Sequence, residues 1–215
     1  MNTLITLILC ITLLHSEAAS DISFTYGFIG QLQSNPDSLI ELSDSSVIYT
    51  KDNIKINVGY TNNTIFYSIY VDSEGTFMLT YPEDLSDISN NQNQPDTLYK
   101  TVLRGGLIDP PGYETFYLIN SSTPLTELTN LIGRYDKAPE KGKLKLANRI
   151  QAQIDALDPN IKGELAFIPN RLDKPMVGGV TFRGDDDDHL KDGSLTHVCT
   201  GSGGIAFQKI VLNHR

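Results

Sequence analysis

Apolar residues recur at every second position through long stretches of this chain, and that spacing commits those stretches to strands. In NIKINVGY at 53–60, Ile54, Ile56 and Val58 alternate with Lys55 and Asn57, the period of a strand with one buried face. Two further β-rich runs within residues 64–81 flank Asp72-Ser73-Glu74-Gly75. Gly75 supplies the positive φ that a hairpin turn of this length needs, and Pro82 ends the second run. ISFTYGFIG at 22–30, VIYT at 47–50, LYKTVL at 98–103 and YETFYLINSS at 113–122 read as strands too. Residues 31–45 are rich in Ser, Asn, Asp and Pro and read as a loop, or a short helix near 36–42. Asp109-Pro110-Pro111-Gly112 is a turn signal.

Near residue 123 the period changes. Thr123 suits an N-cap and Pro124 a first helical position. Leu125, Leu128, Leu131 and Ile132 follow at helical spacing, and Gly133 closes the run. A second helix is expected over 141–157, with Ala147, Ile150, Ile154 and Leu157 forming one apolar stripe. Lys141, Lys143, Lys145 and Arg149 decorate its other sides, a pattern that fits a solvated face. Strands return at 164–168, 178–184, 195–200 and 205–212, with Gly201-Ser202-Gly203-Gly204 read as a hairpin loop between the last two. The expected fold is mainly β (α+β): an antiparallel sheet or sandwich with two helices packed on it.

The first 20 residues read differently. Residues 2–14 form an apolar run, followed by small residues at Ser16, Ala18, Ala19 and Ser20, the layout of a secretory signal peptide cleaved after Ala18 or Ser20. The expected organisation is therefore a signal peptide over 1–20 and a single β-rich domain over 21–215. Within that domain the helical insertion covers about 123–158 and the C-terminal strands cover 164–212. No later stretch is apolar enough to span a membrane, so the expected location is secreted or periplasmic. A net charge of −9 argues against a nucleic-acid partner, which a basic surface would recognise.

Few residues suggest chemistry. Cleavage of the leader removes Cys10 and leaves Cys199 as the sole cysteine, unable to form an internal disulfide. His197 stands two residues before it, on the same face of a strand. An imidazole-activated thiolate is a nucleophile, yet catalytic dyads usually join different elements, so a packed strand is the plainer reading of the pair. His189 and His214 are the other imidazoles that a thiol hydrolase built on Cys199 would have to recruit. The spacing of His189, His197, Cys199 and His214 matches no zinc signature. No cofactor is expected. Asp185, Asp186 and Asp188 are calcium candidates in an oxygen-rich loop, although Leu190 breaks the EF-hand pattern. Asn62-Asn63-Thr64 and Asn120-Ser121-Ser122 are glycosylation sequons.

Two stretches together carry a resemblance. IFYSIYVDSEGTFMLTYPE at 65–83 and DPPGYETFYLINSSTPL at 109–125 resemble, in order and separation, the two hallmark segments of the bacterial domain-of-unknown-function family 4384. The resemblance covers about 50–130. It implies a secreted or envelope β domain of a kind often found beside caspase-like, kinase-like or cell-wall-binding domains, and it carries over no catalytic residue. Tyr67, Tyr70, Asp72, Gly75, Pro82, Pro111 and Gly112 then read as turn- and sheet-forming positions. The functional expectation is a non-catalytic binding or accessory module meeting a protein or an envelope polymer. Contact would run through a sheet face bearing Tyr67 and Tyr70, or through an edge strand. The alternative is a small secreted enzyme, a thiol hydrolase using Cys199.

Overall fold

The computed structural model describes residues 21–82, 96–158 and 195–215. The chain is mainly β, with two antiparallel sheets stacked face to face and two helices packed on one of them. The first sheet holds β1 (Ile22–Gln31), β2 (Leu39–Glu41), β4 (Asn53–Thr61), β7 (Thr97–Gly106) and β9 (His197–Gly201). Along one edge of β1, β2 pairs with residues 29–31 and β9 with residues 22–26. The second sheet runs in the order β3 (Val47–Ile48), β10 (Ile205–His214), β8 (Gly112–Ser121), β5 (Ile65–Val71), β6 (Phe77–Tyr81). Only the short β3–β10 pair is parallel among the described strands.

Side chains alternate across each strand, and the middle of the second sheet is buried on both faces. Phe116 and Leu118 of β8, Phe66 of β5 and Ala206, Ile210 and Leu212 of β10 meet Phe24, Phe28, Ile56 and Val58 between the sheets. The opposite parity, Tyr117 and Ile119 of β8, Tyr67 and Ile69 of β5 and Phe207 of β10, meets helix α1 (Thr126–Asp136) and helix α2 (Glu140–Leu157). Leu128, Leu131, Ile132 and Tyr135 from α1 and Ile150 and Ile154 from α2 complete this second core. The stripe read from the sequence of α2 is thus the buried stripe. The expected β5–β6 hairpin forms as well. Gly75 sits at φ +81, and Asp72 Oδ1 accepts the backbone N–H groups of Glu74 and Thr76 at 3.0 and 2.7 Å.

Four local expectations are corrected. Residues 39–41 form β2 rather than loop or helix, because β1 leaves a free edge there; Leu42 then fills a core position and its N–H donates to the Phe28 carbonyl at 2.8 Å. Helix α1 starts at Thr126 rather than after Thr123, without a side-chain cap. Ser121 Oγ engages the backbone of Thr123, and the Leu125 N–H donates to the Tyr67 hydroxyl at 3.1 Å, so tertiary contacts set the start. The same helix runs past Gly133 to Asp136, which lets Tyr135 reach Phe77, ring to ring at 6.1 Å. Finally, Gly201–Gly204 is not a hairpin loop: β9 pairs with β1 and β10 with β8, so these residues carry the chain from one sheet to the other. Gly203 and Gly204 take φ +68 and +77, and a Cβ on Gly201 would collide with the Ile205 carbonyl. The strands expected at 164–168 and 178–184 lie outside the described residues.

Phe116 is fully buried between Phe28 and Tyr70, with ring centroids 5.0 and 5.1 Å away. Phe116→Ala is expected to lower unfolding stability by about 3–5 kcal/mol. Leu144→Ala, at a side chain 73% exposed, should change it by less than about 0.5 kcal/mol. Urea titration of the two variants checks the contrast.

Candidate functional site

One end of the sandwich brings together a buried polar chain and an exposed apolar rim. The chain begins at Glu114 on β8, whose parity with Phe116 and Leu118 points it into the core. Its carboxylate accepts the Tyr70 hydroxyl at 2.6 Å on Oε2 and faces His214 Nδ1 at 3.0 Å through Oε1. Glu114 and His214 are buried to within 1%. The far side of the ring, Nε2, lies 3.0 Å from Thr50 Oγ1, and that hydroxyl donates to Asp109 Oδ1 at 2.9 Å. Asp109 is exposed, so the chain Tyr70–Glu114–His214–Thr50–Asp109 runs from core to surface. Thr50 has one proton, and Asp109 takes it. Burial and the neighbouring carboxylate push the Tyr70 phenol far above its ordinary value, so it stays a donor.

This polar chain ties two loops together. Thr50 N–H donates to the Arg215 carbonyl, Arg215 N–H to the Ile48 carbonyl and Lys51 N–H to the Leu107 carbonyl. The buried Asp52 carboxylate accepts the Tyr49 N–H at 2.9 Å and the Gln33 N–H at 2.7 Å. Lys51 is held at φ +75 in the turn between them, a conformation that a side-chain-bearing residue keeps only when its surroundings impose it. Ser73 Oγ reaches across from the β5–β6 turn to donate to the Pro110 carbonyl at 2.7 Å.

What these loops display is apolar. Ile108 is 79% exposed, Tyr113 69%, Tyr49 54% and Val47 37%. They are four of the seven exposed large hydrophobic residues among the described ones. Val47 and Tyr113 both pair with Asn213, which places them about two strand spacings apart, ~10 Å, on one side of the sheet. Ile108 adjoins Asp109, the acceptor of the Thr50 hydroxyl.

The order hydroxyl, imidazole, buried carboxylate is that of a hydrolytic triad. Here the Thr50 hydroxyl donates its proton to the Asp109 carboxylate, so the chain links the loop carrying Thr50 to the loop carrying Asp109.

The residues singled out from the sequence lie elsewhere or serve other ends. Tyr67 does not face solvent. It is fully buried under α1, its hydroxyl accepting the Leu125 N–H, because β5 is covered on both faces. Tyr70 points the other way, into the sandwich, as the donor to Glu114. Cys199 is buried, its thiol 3.4 Å from the Phe207 carbonyl and pushed up to about 12 by burial, the opposite of an activated thiolate. His197 shares its face, as expected, but Nε2 contacts Glu41 Oε1 at 2.7 Å and the ring stacks on Tyr26 at 4.9 Å. His214, proposed as a recruit for Cys199, belongs to the polar chain instead. Asn120 of the second sequon is fully buried and donates to the Ser23 carbonyl. Asp185, Asp186, Asp188 and His189 lie outside the described residues. Among the described residues no His, Cys, Asp and Glu side chains gather as a metal-binding group, and no described helix is long and apolar enough to cross a membrane.

Sequence reasoning missed Glu114, Thr50, Asp109 and the exposed rim. One signal was present: a carboxylate at the same parity as Phe116 and Leu118 is out of place on a core face unless it has partners. No family model, curated protein or solved structure matches this chain.

Two predictions follow from the buried groups. His214→Ala leaves the Glu114 charge without its partner and is expected to cost about 3–5 kcal/mol. Tyr70→Phe removes one hydrogen bond to the same carboxylate and should cost about 1.5–3 kcal/mol; chemical denaturation of both variants measures the difference. The second concerns pH. Folded Cys199 keeps its proton up to about 12, against an ordinary value of 9.0, so above pH 9 the unfolded chain releases a proton that the folded one retains. Stability is full below that pH and is lost as pH rises toward 12. The buried Tyr26 and Tyr60 and the half-buried Tyr70, all raised chiefly by desolvation, extend the loss upward from their ordinary value of 10.0. Cys199→Ala should show a shallower decline between pH 9 and 10 in urea midpoints measured across that range.

Proposed function

We propose that this chain is a secreted or periplasmic non-catalytic binding module that contacts another protein through the end of the sandwich bearing Val47, Tyr49, Ile108 and Tyr113. The supporting observation is that Tyr49 and Ile108 stand on two loops locked together from beneath by Thr50, His214 and Glu114, with Val47 and Tyr113 exposed on the strand ends that adjoin those loops. Large apolar and aromatic groups left in water on a monomer mark contact surfaces. Loops already held in place give up little conformational entropy when a partner docks. The leader-like residues 1–20 support the location. The likeness to family 4384 supports the module reading, since its two segments supply β5, β6 and β8 and thus both Tyr70 and Glu114.

Site-specific photo-crosslinking in the native host tests this. A crosslinker replacing Tyr113 should capture one reproducible protein, and the adduct should disappear when Ile108→Ser is added in the same chain. A crosslinker replacing Leu144, equally exposed but on α2, should not capture that protein. The same captures from both positions, or none from position 113 in a stably folded variant, would overturn the proposal.

A further inference from the structure

The helical pair carries a second feature, independent of the apolar rim. A groove of about 410 Å³ between α1 and α2 is lined by Thr126, Glu127, Asn130, Leu131, Arg134 and Arg149. Four of these, Glu127, Asn130, Leu131 and Arg134, recur at the i, i+3, i+4, i+7 spacing of a single helix face. Arg149 reaches in from α2. Each guanidinium offers five N–H donors. Arg149 has one long ion pair, 3.8 Å to Glu127 Oε1, and Arg134 makes no ion pair among the described residues. Two arginines thus line one groove with most of their donors unspent. The wider charge pattern agrees. Arg134, Lys137, Lys141, Lys143, Lys145 and Arg149 fall within 16 positions, against Asp136 and Glu140, in a chain whose net charge is −9. This stretch is locally basic in an acidic chain.

We propose that this groove binds a carboxylated saccharide, an acidic sugar unit of a polymer. Two planar guanidiniums suit a planar carboxylate, which accepts bidentate hydrogen bonds from such forks. Glu127 selects further: it repels a dianionic phosphate placed on Arg149 and accepts hydrogen bonds from sugar hydroxyls. The Thr126 hydroxyl and the Asn130 amide supply both donors and acceptors for the remaining hydroxyls. The groove's volume is that of a small-ligand site.

Calorimetry with a uronic-acid tetrasaccharide, its neutral methyl ester and inorganic phosphate tests the assignment. The acid should bind and its methyl ester should not, and phosphate should fail to compete. Arg134→Ala and Arg149→Ala should each weaken binding at least about tenfold, the scale of one lost charge-assisted hydrogen bond, while thermal unfolding stays unchanged. Lys141→Ala with Lys145→Ala, on α2 but outside the lining of the groove, should leave binding within about twofold, within the scatter of a surface change. Equal binding of acid and ester, equal competition by phosphate, or no binding of the acid overturns the proposal. So does binding that follows these two lysines rather than the two arginines.

Discussion

Burial of the second sheet on both faces is the constraint from which the rest of this structure follows. β8 sits at its centre, with β10 on one side and β5 on the other. Its even-numbered residues close the sandwich and its odd-numbered residues receive the helices. Glu114 has the core-facing parity of that strand, so it can be there only because Tyr70, from the neighbouring strand, and His214, from the other neighbour, both meet it. Such a buried ionic group contributes little net stability against a well-packed apolar substitute. What it does is fix position: Tyr70, Glu114 and His214 come from three different strands, and the bonds among them are satisfied only in one register.

The order of strands and helices was readable because it rests on local periodicity. Ile54, Ile56 and Val58 alternate, Gly75 turns a hairpin, and Ile150 and Ile154 fall on one stripe whatever the tertiary structure does. Partnership was not readable, because it depends on which sheet a strand joins. Gly201-Ser202-Gly203-Gly204 has the composition of a hairpin loop, and nothing local distinguishes a turn within a sheet from a step between sheets. The start of α1 went astray for a related reason. Thr123 and Pro124 satisfy the rules of capping, but the Tyr67 hydroxyl, 58 positions away, holds the Leu125 N–H and displaces the start.

The candidate site was the least legible part. Tyr67 and Tyr70 were conspicuous as an alternating aromatic pair, and alternation alone could not say that both sides of β5 are covered. The rim residues look unremarkable in sequence, since Tyr49, Ile108 and Tyr113 each stand beside polar or turn-forming neighbours. They become a surface only when the β3–β10 pairing and the Thr50–Asp109 hydrogen bond draw distant segments together. The helical groove has the same character. Arg134 and Arg149 are separated by a turn and lie on different helices, so their convergence is a property of how α1 and α2 pack.

The parallel pairing of β3 with β10 carries the last described residue alongside the loop that bears Tyr49, where the Arg215 N–H donates to the Ile48 carbonyl and its carbonyl accepts from the Thr50 N–H. Anything joined after Arg215, a tag or a neighbouring domain, therefore emerges beside that rim loop rather than at a remote corner. Such an attachment would stand in the approach path of an incoming partner and act as a steric shutter, whereas an attachment before Ile22 leaves from the first sheet, which does not carry the rim.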